Sequence, residues 1–159
     1  MTGTVRLRPA TTADCEAVFA WANDPQTRAV SFSHDPIPWE GHVRWFDASL
    51  ARDDRRLFIA EVEAAGVGII RFDRIGEDWG QAEISINLAP EARGRGLGKA
   101  TLAAATEAAE GLGVRIIVAY VRADNPASHR VFVAAGYVSV GEDASHGESA
   151  SRYELTVKP

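Results

Sequence analysis

The sequence predicts a single mixed α/β domain, with a central sheet of about seven strands flanked by about four helices. Three observations carry that expectation. The 159 residues suffice for one compact domain and are too few for two ordinary ones. Apolar patterns of period 2 and period 3.6 alternate along the chain. A glycine-rich turn in the middle links an alternating strand to an alanine-rich helix. No linker-like stretch and no repeat at solenoid periods interrupts residues 1–159, so one domain spans the chain.

Taken in order, Val5-Arg6-Leu7-Arg8 alternates apolar and polar as a half-buried strand does, and Pro9 limits its extension. Thr11 and Asp14 have capping-box spacing, and Cys15, Val18, Phe19 and Ala22 follow at helical spacing, predicting a first helix over residues 12–21. Asn23-Asp24-Pro25 punctuates the chain, and residues 26–37 show no clear period. Trp39, Val43, Phe46 and Leu50 mark a second helix, entered after Pro36 and Pro38.

Residues 57–62 and 67–72 read as two strands joined by a turn at 64–66. Residues 82–88 give a third strand in this region, with Ile84, Ile86 and Leu88 on one face and Glu83, Ser85 and Asn87 on the other. After the glycine turn, residues 98–111 form the alanine-rich helix and residues 115–121 a strand of β-branched residues. Asn125 caps another helix with Pro126 at its first position, and Gly136 stops it. Residues 137–140 and 153–157 supply the last strands.

Composition narrows the function classes. At 46% hydrophobic and 25% charged, the chain is average for a globular protein. Its formal charge is −5, and no basic run exceeds Arg55-Arg56, so no nucleic-acid partner is expected. Cys15 is the single cysteine, and no Cys/His cluster has metal-ligand spacing, so no metal is expected. The amino terminus lacks the apolar core of a signal peptide, and no apolar run approaches the roughly 20 residues of a membrane span. A cytoplasmic protein without a membrane partner is the expectation.

The segment Arg93-Gly94-Arg95-Gly96-Leu97-Gly98-Lys99 is the most informative. Glycines at 94, 96 and 98 let backbone N–H groups approach a ligand with no Cβ in the way. A helix starting there turns its free N–H groups and positive dipole end into the same turn, which suits a pyrophosphate. Arg93 and Arg95 can add charge-assisted contacts. A Walker A loop is excluded, because Arg93 stands where its first glycine belongs and Ala100 replaces its Ser/Thr. A dinucleotide fingerprint is excluded because Lys99 occupies its third glycine position. The competing reading is that three glycines only permit a tight turn; the two arginines, the polar-faced strand and the immediate helix favour an anion site.

This segment resembles the motif Arg/Gln-x-x-Gly-x-Gly/Ala of the GNAT superfamily of N-acetyltransferases, which binds the pyrophosphate of acetyl-CoA after the fourth strand. Asn125-Pro126-Ala127-Ser128 and Ala135-Gly136-Tyr137 look like the family's Asn-x-x-Ser/Ala and closing Gly-Phe/Tyr. The resemblance implies a sheet splayed between the fourth and fifth strands, here 82–88 and 115–121. It implies that acetyl-CoA meets backbone groups of Ile86 and Leu88, the turn from Arg93 through Gly94, Arg95, Gly96, Leu97 and Gly98 to Lys99, and then Asn125 and Ser128.

Family enzymes pass the acetyl group directly to an amine, which must first lose a proton. Glu83, on the polar face of the cofactor strand, is the candidate base; the alternative is a salt-bridged strand carboxylate. Cys15 occupies an apolar helix position and reads as packing. Many family members carry a tyrosine seven residues after the motif asparagine as general acid, and here that position is Phe132. Tyr120, Tyr137 or water are the substitutes, with packing the alternative for Tyr137.

The acceptor is expected to be a small-molecule amine held by the first two helices and neighbouring strands. Trp21, Asn23, Arg28, Phe32, His42, Trp45 and Arg71 are the candidate residues, suited to stacking a ring and hydrogen-bonding hydroxyls or phosphates. Trp-x-Asn-Asp, Arg, Ser-Phe and His-x-x-Trp-Phe are similar to the branch that acetylates nucleotide-linked amino sugars of the pseudaminic-acid type. Alternatives are a protein N-terminal acetyltransferase of the ribosomal-protein type, a small-amine or aminoglycoside acetyltransferase, and a non-catalytic acyl-CoA-binding domain. Dimers are common in the family, so a homodimer is among the expected partners.

Overall fold

A computed structural model describes residues 4–32, 34–144 and 149–157. Residues 1–3, the start of the amino-terminal segment read above, lie outside the described residues. Strand β1 (Val5–Pro9) leads through a 3-10 turn into α1 (Cys15–Ala22), the short α2 (Pro25–Val30) and α3 (Trp39–Ala51). Strands β2 (Arg55–Val62), β3 (Ala65–Ile75) and β4 (Gln81–Leu88) follow, then α4 (Leu97–Gly111), β5 (Ile116–Arg122), α5 (Pro126–Ala134), β6 (Val138–Asp143) and β7 (Ala150–Thr156). The seven strands form one sheet in the order β1-β2-β3-β4-β5-β7-β6.

Every neighbouring pair is antiparallel except β4 and β5, which run parallel. That pair is short: Gln81–Ile116, Ala82–Ile117 and Glu83–Val118 are matched, and no residue of β5 is paired with the rest of β4. The sheet is covered on both faces, as alternation along β3 requires. Ile69 points into a core with Val18 and Trp21 of α1, Phe46 of α3, and Leu57 and Ile59. Ile70 and Phe72 point into the other core, with Leu102 and Ala105 of α4, Phe132 of α5, and Ile84 and Ile117.

Four local differences from the sequence reading have physical causes. The expected helix over 12–21 begins as a 3-10 turn at Thr12–Asp14 and turns α-helical at Cys15. The Asp14 carboxylate is drawn to the Arg8 guanidinium at 2.7 and 2.8 Å while accepting from Thr11 N–H at 2.8 Å. Helix α2 lies in the stretch without a period, begun by Asp24 as cap, accepting from Thr27 N–H at 3.1 Å, and by Pro25 at its first position. The β2–β3 turn is Glu63-Ala64 rather than 64–66, because register pairs Val62 with Ala65. Both turn residues are left-handed, at φ 52° and 67°. Finally, β7 starts at Ala150, and β6 starts at Val138 because Tyr137 turns into the core.

Candidate active site

Where β4 leaves β5, a cavity of about 780 Å³ opens. One wall is the polar face of two paired strands. Arg71 lies opposite Ser85, and Asp73 opposite Glu83, so Arg71, Asp73, Glu83, Ser85 and Asn87 share a face. Glu83, Ser85, Asn87 and Arg71 line the cavity. Ile86 and Leu88 also border it, on the stretch of β4 that has no β5 partner.

The glycine turn sits at one end. Gly94 and Gly96 adopt φ 74° and 72°, and a Cβ at either would meet no heavy atom within 4 Å. Backbone conformation demands these glycines, and the space before them is open. Gly96 caps the fifteen-residue α4 and brings no side chain to occupy the free N–H groups of its first turn. Gly98 serves packing: a Cβ there would stand 3.1 Å from both methyls of Val131 on α5, and the residue borders the cavity. An uncapped helix start behind two left-handed glycines fits the pyrophosphate of acetyl-CoA.

The other residues of this set divide. Leu97 is buried in the core, whereas Arg95 and Lys99 are exposed at the turn and first helical residues. Arg93 borders the cavity, but its guanidinium donates to Asp24 Oδ2 at 2.9 Å, to Gln26 Oε1 at 3.1 Å and to the Thr27 hydroxyl. Asn125 and Ser128 border the cavity on the α5 side, where Asn125 accepts from Ser128 N–H at 3.3 Å and donates to its hydroxyl at 3.1 Å.

Of the acceptor candidates, Arg28, Phe32, His42, Trp45 and Arg71 come together around the cavity. Trp21 and Asn23 do not. Trp21 is buried in the core beneath Gly66, whose added Cβ would lie 3.2 Å from the indole. Asn23 clips the loop before α3, donating to Ile37 carbonyl at 2.8 Å and accepting from Ile37 N–H at 2.7 Å. The α1 periodicity and the cap-rich Asn23-Asp24-Pro25 run are consistent with these structural positions.

Electrostatics set the character of the acceptor half. Burial pushes the Arg71 pKa down, against the opposing pull of Asp73. Arg71 Nε lies 3.1 Å from Asp73 Oδ2 yet donates no hydrogen bond there, and Asp73 is also bound by Arg55 at 2.6 Å. Burial likewise lowers Arg28, whose Nε donates to Ala22 carbonyl at 2.7 Å. A half-buried guanidinium gains more from an anion in the same cavity than one in open solvent does. His42 is 2% exposed, donates through Nε2 to Cys15 carbonyl at 2.9 Å and stacks on Phe46; burial pushes its pKa below the ordinary 6.5, so the ring is neutral.

Tyrosine placement separates the sequence alternatives. Tyr137 is 3% exposed in the core, its hydroxyl has no hydrogen-bond partner among the described residues, and burial raises its pKa far above the ordinary value. Tyr120 borders the cavity and its hydroxyl accepts from Arg152 Nη1 at 3.1 Å. Phe132 also borders the cavity, with its ring edge-on to Tyr137. His129 bridges Tyr153 hydroxyl at 2.7 Å and Arg122 carbonyl at 2.9 Å. Cys15 is partly buried against the core, and burial raises its thiol. Arg122, 7% exposed at the end of β5, was not singled out from the sequence, and an arginine closing an apolar strand was the available signal.

Among the described residues no helix is long and apolar enough to cross a membrane, and no group of three or more His, Cys, Asp or Glu could hold a metal. Comparison with known proteins agrees with the geometry. A protein of Bacillus subtilis (strain 168) named "Putative phosphinothricin acetyltransferase YwnH" is 30% identical over 95% of each chain. An L-methionine sulfoximine/L-methionine sulfone acetyltransferase of Pseudomonas paraeruginosa (strain DSM 24068 / PA7) is 29% identical over 92% of this chain and 88% of its own. The solved structure of AAC(6')-Ib with ribostamycin and coenzyme A superposes with a TM-score of 0.87 at 19% identity, covering 96% of this chain and 93% of that one. The model of the Acetyltransferase (GNAT) domain matches residues 4–138. With an uncapped helix start behind its glycine turn and a polar strand face beside a parted β4–β5 pair, the chain belongs to the GNAT family of acetyltransferases, which take the acetyl group from acetyl-CoA.

Proposed function

We propose that the protein acetylates the primary amine of a small, amino-acid-like acceptor that carries an anionic group. The observation that carries this reading is the juxtaposition of Arg71 and Glu83 on one cavity wall. Arg71 sits diagonally from Glu83 across the β3–β4 pairing, half-buried on the cavity wall, and burial lowers its pKa. An α-amino acid places a carboxylate and an amine within one small group, matching a cation and a carboxylate on adjacent strands. The sequence relatives named for phosphinothricin and methionine sulfoximine support the same acceptor class.

The residues suited to hold the donor are the backbone of Ile86 and Leu88, the N–H groups of residues 94–98, and the Asn125–Ser128 corner. Acetyl-CoA, when bound, supplies an acetyl thioester. Glu83 accepts the proton from the acceptor ammonium, freeing its lone pair. Arg71 holds the acceptor's anion and so fixes the amine's approach. Tyr120 Oη, held by Arg152, keeps a proton available for the departing thiolate. Neutral His42 and the rings around it exclude water from this half of the cavity.

Nucleotide-linked amino sugars are the second reading. Trp45, 37% exposed on the cavity wall, offers a ring for base stacking, and Arg28 a cation for phosphate. The test is thiol release from acetyl-CoA against methionine sulfoximine, phosphinothricin, a UDP-4-amino sugar, an aminoglycoside and amino-terminal peptides. Turnover on the amino acids is expected, with Arg71→Met raising acceptor KM. Turnover confined to the UDP-sugar would install the second reading, and turnover confined to the aminoglycoside or peptides would refute both. Tight acetyl-CoA binding without turnover on any acceptor would favour a non-catalytic acyl-CoA-binding domain.

A further inference from the structure

Helix α2 is six residues long, has no fully buried residue, and is too short to persist in isolation. Nevertheless Gln26, Thr27, Arg28 and Val30 form part of the cavity wall, continued by Ser31 and Phe32. Besides its own cap and the Arg28 bond to the Ala22 carbonyl, this segment is held from far along the chain. Arg93 donates to Asp24, Gln26 and Thr27 at the helix start, across 69, 67 and 66 positions of sequence. Arg122 donates to the Ala29 carbonyl at 3.3 Å and to the Ser31 carbonyl, and meets His34 Nε2. Arg93 stands immediately before the glycine turn, and Arg122 ends the strand that leads to Asn125.

We propose that Arg93 is a positioning residue for the acceptor wall: with Arg122 it clamps α2 onto the donor-binding elements, and it does not serve as a pyrophosphate ligand. This rests on the acceptor half of the cavity being as described above. To reach an anion in the glycine turn, Arg93 would have to abandon a part-buried carboxylate and two further oxygens at the start of α2. Asp24 also caps α2, and the Arg93 and Thr27 bonds hold its carboxyl below the ordinary range although burial opposes this. The clamp therefore stabilises the cap, the cap stabilises the helix, and the helix shapes the wall.

The test pairs Arg93→Gln with Asp24→Asn, because Asn remains a good helix cap while weakening the ion pair. Each single variant should raise acceptor KM about tenfold, the loss of one charge-assisted contact, with kcat little changed. The double variant should lose less than the sum of the two singles, since both break the Arg93–Asp24 pair. Calorimetric affinity for coenzyme A should stay within about threefold of wild type in all three. Trypsin should cleave after Arg28 faster in each variant than in wild type. A tenfold loss of coenzyme A affinity in Arg93→Gln, with Asp24→Asn binding normally, would overturn the proposal and make Arg93 a pyrophosphate ligand. Unchanged acceptor KM and unchanged cleavage would overturn it as well. Should no acceptor be turned over by the wild type, the acceptor reading fails alone; coenzyme A affinity and cleavage at Arg28 still decide the clamp.

Discussion

Gly96→Ala separates what the glycine turn does for binding from what it does for stability. Gly96 stands at φ 72°, and an added Cβ meets nothing within 4 Å, so the substitution costs conformational energy alone. For an L-residue forced into the left-handed region that cost is ~1–2 kcal/mol, which lowers Tm by about 2–8 °C in a domain of this size. Gly113, just beyond α4 at φ 86° with equally open surroundings, supplies the matched control. Thermal melts should show the same loss for Gly96→Ala and Gly113→Ala. Calorimetry with coenzyme A should part them. The new methyl at Gly96 stands at the uncapped start of α4 and should weaken affinity at least about tenfold, ~1.4 kcal/mol, while Gly113→Ala binds as wild type. Wild-type affinity in Gly96→Ala, with its stability loss present, would remove the turn from donor binding. An equal affinity loss in both variants would show that binding merely follows stability.

Tyr120→Phe should lower kcat by about a hundredfold with coenzyme A affinity unchanged, whereas Tyr137→Phe leaves kcat alone; a wild-type rate in Tyr120→Phe would remove it from the mechanism. Because burial holds the folded His42 pKa below 6.5, the unfolded chain takes up a proton first as pH falls, so stability declines below 6.5. His42→Phe should flatten that decline in urea melts between about pH 7 and 5, and an unaltered slope would refute the assignment. Ala64→Gly, at φ 67° in the β2–β3 turn, should raise stability by about 1 kcal/mol and Tm by about 2–4 °C; no gain in Tm would mean that the turn relaxes when unconstrained.

Much of the site was legible because its signals are local. The glycines at 94, 96 and 98 announced a turn open to a ligand, of which Gly94 and Gly96 are left-handed, and the alternation of Glu83, Ser85 and Asn87 put three polar side chains on one strand face, which the β3–β4 register turns toward the cavity. Asn125-Pro126 marked a helix start that the Ser128 contacts realise. Trp21 and Asn23 were placed by their position at the end of the first helix and by the Trp-x-Asn-Asp likeness, and nothing local distinguishes a cavity-facing indole from a buried one. Helix α2 escaped because six residues carry less than two turns of periodicity, although Asp24-Pro25 stated its cap and first position.

The sequence by itself determined the element order apart from α2, the helix start behind the glycine turn and the membership of a broad enzyme class. Each depends on residues within a few positions of one another, where backbone propensity and side-chain period act directly. Tertiary structure alone decided at which residues, Glu83 and Val118, the β4–β5 pairing ends, which tyrosine borders the cavity, that Arg71 is half-buried beside Asp73, and that Arg93 and Arg122 close on α2. Those features join residues tens of positions apart, and a guanidinium selects its partner only after the sheet and the helices upon it have brought the oxygens within reach.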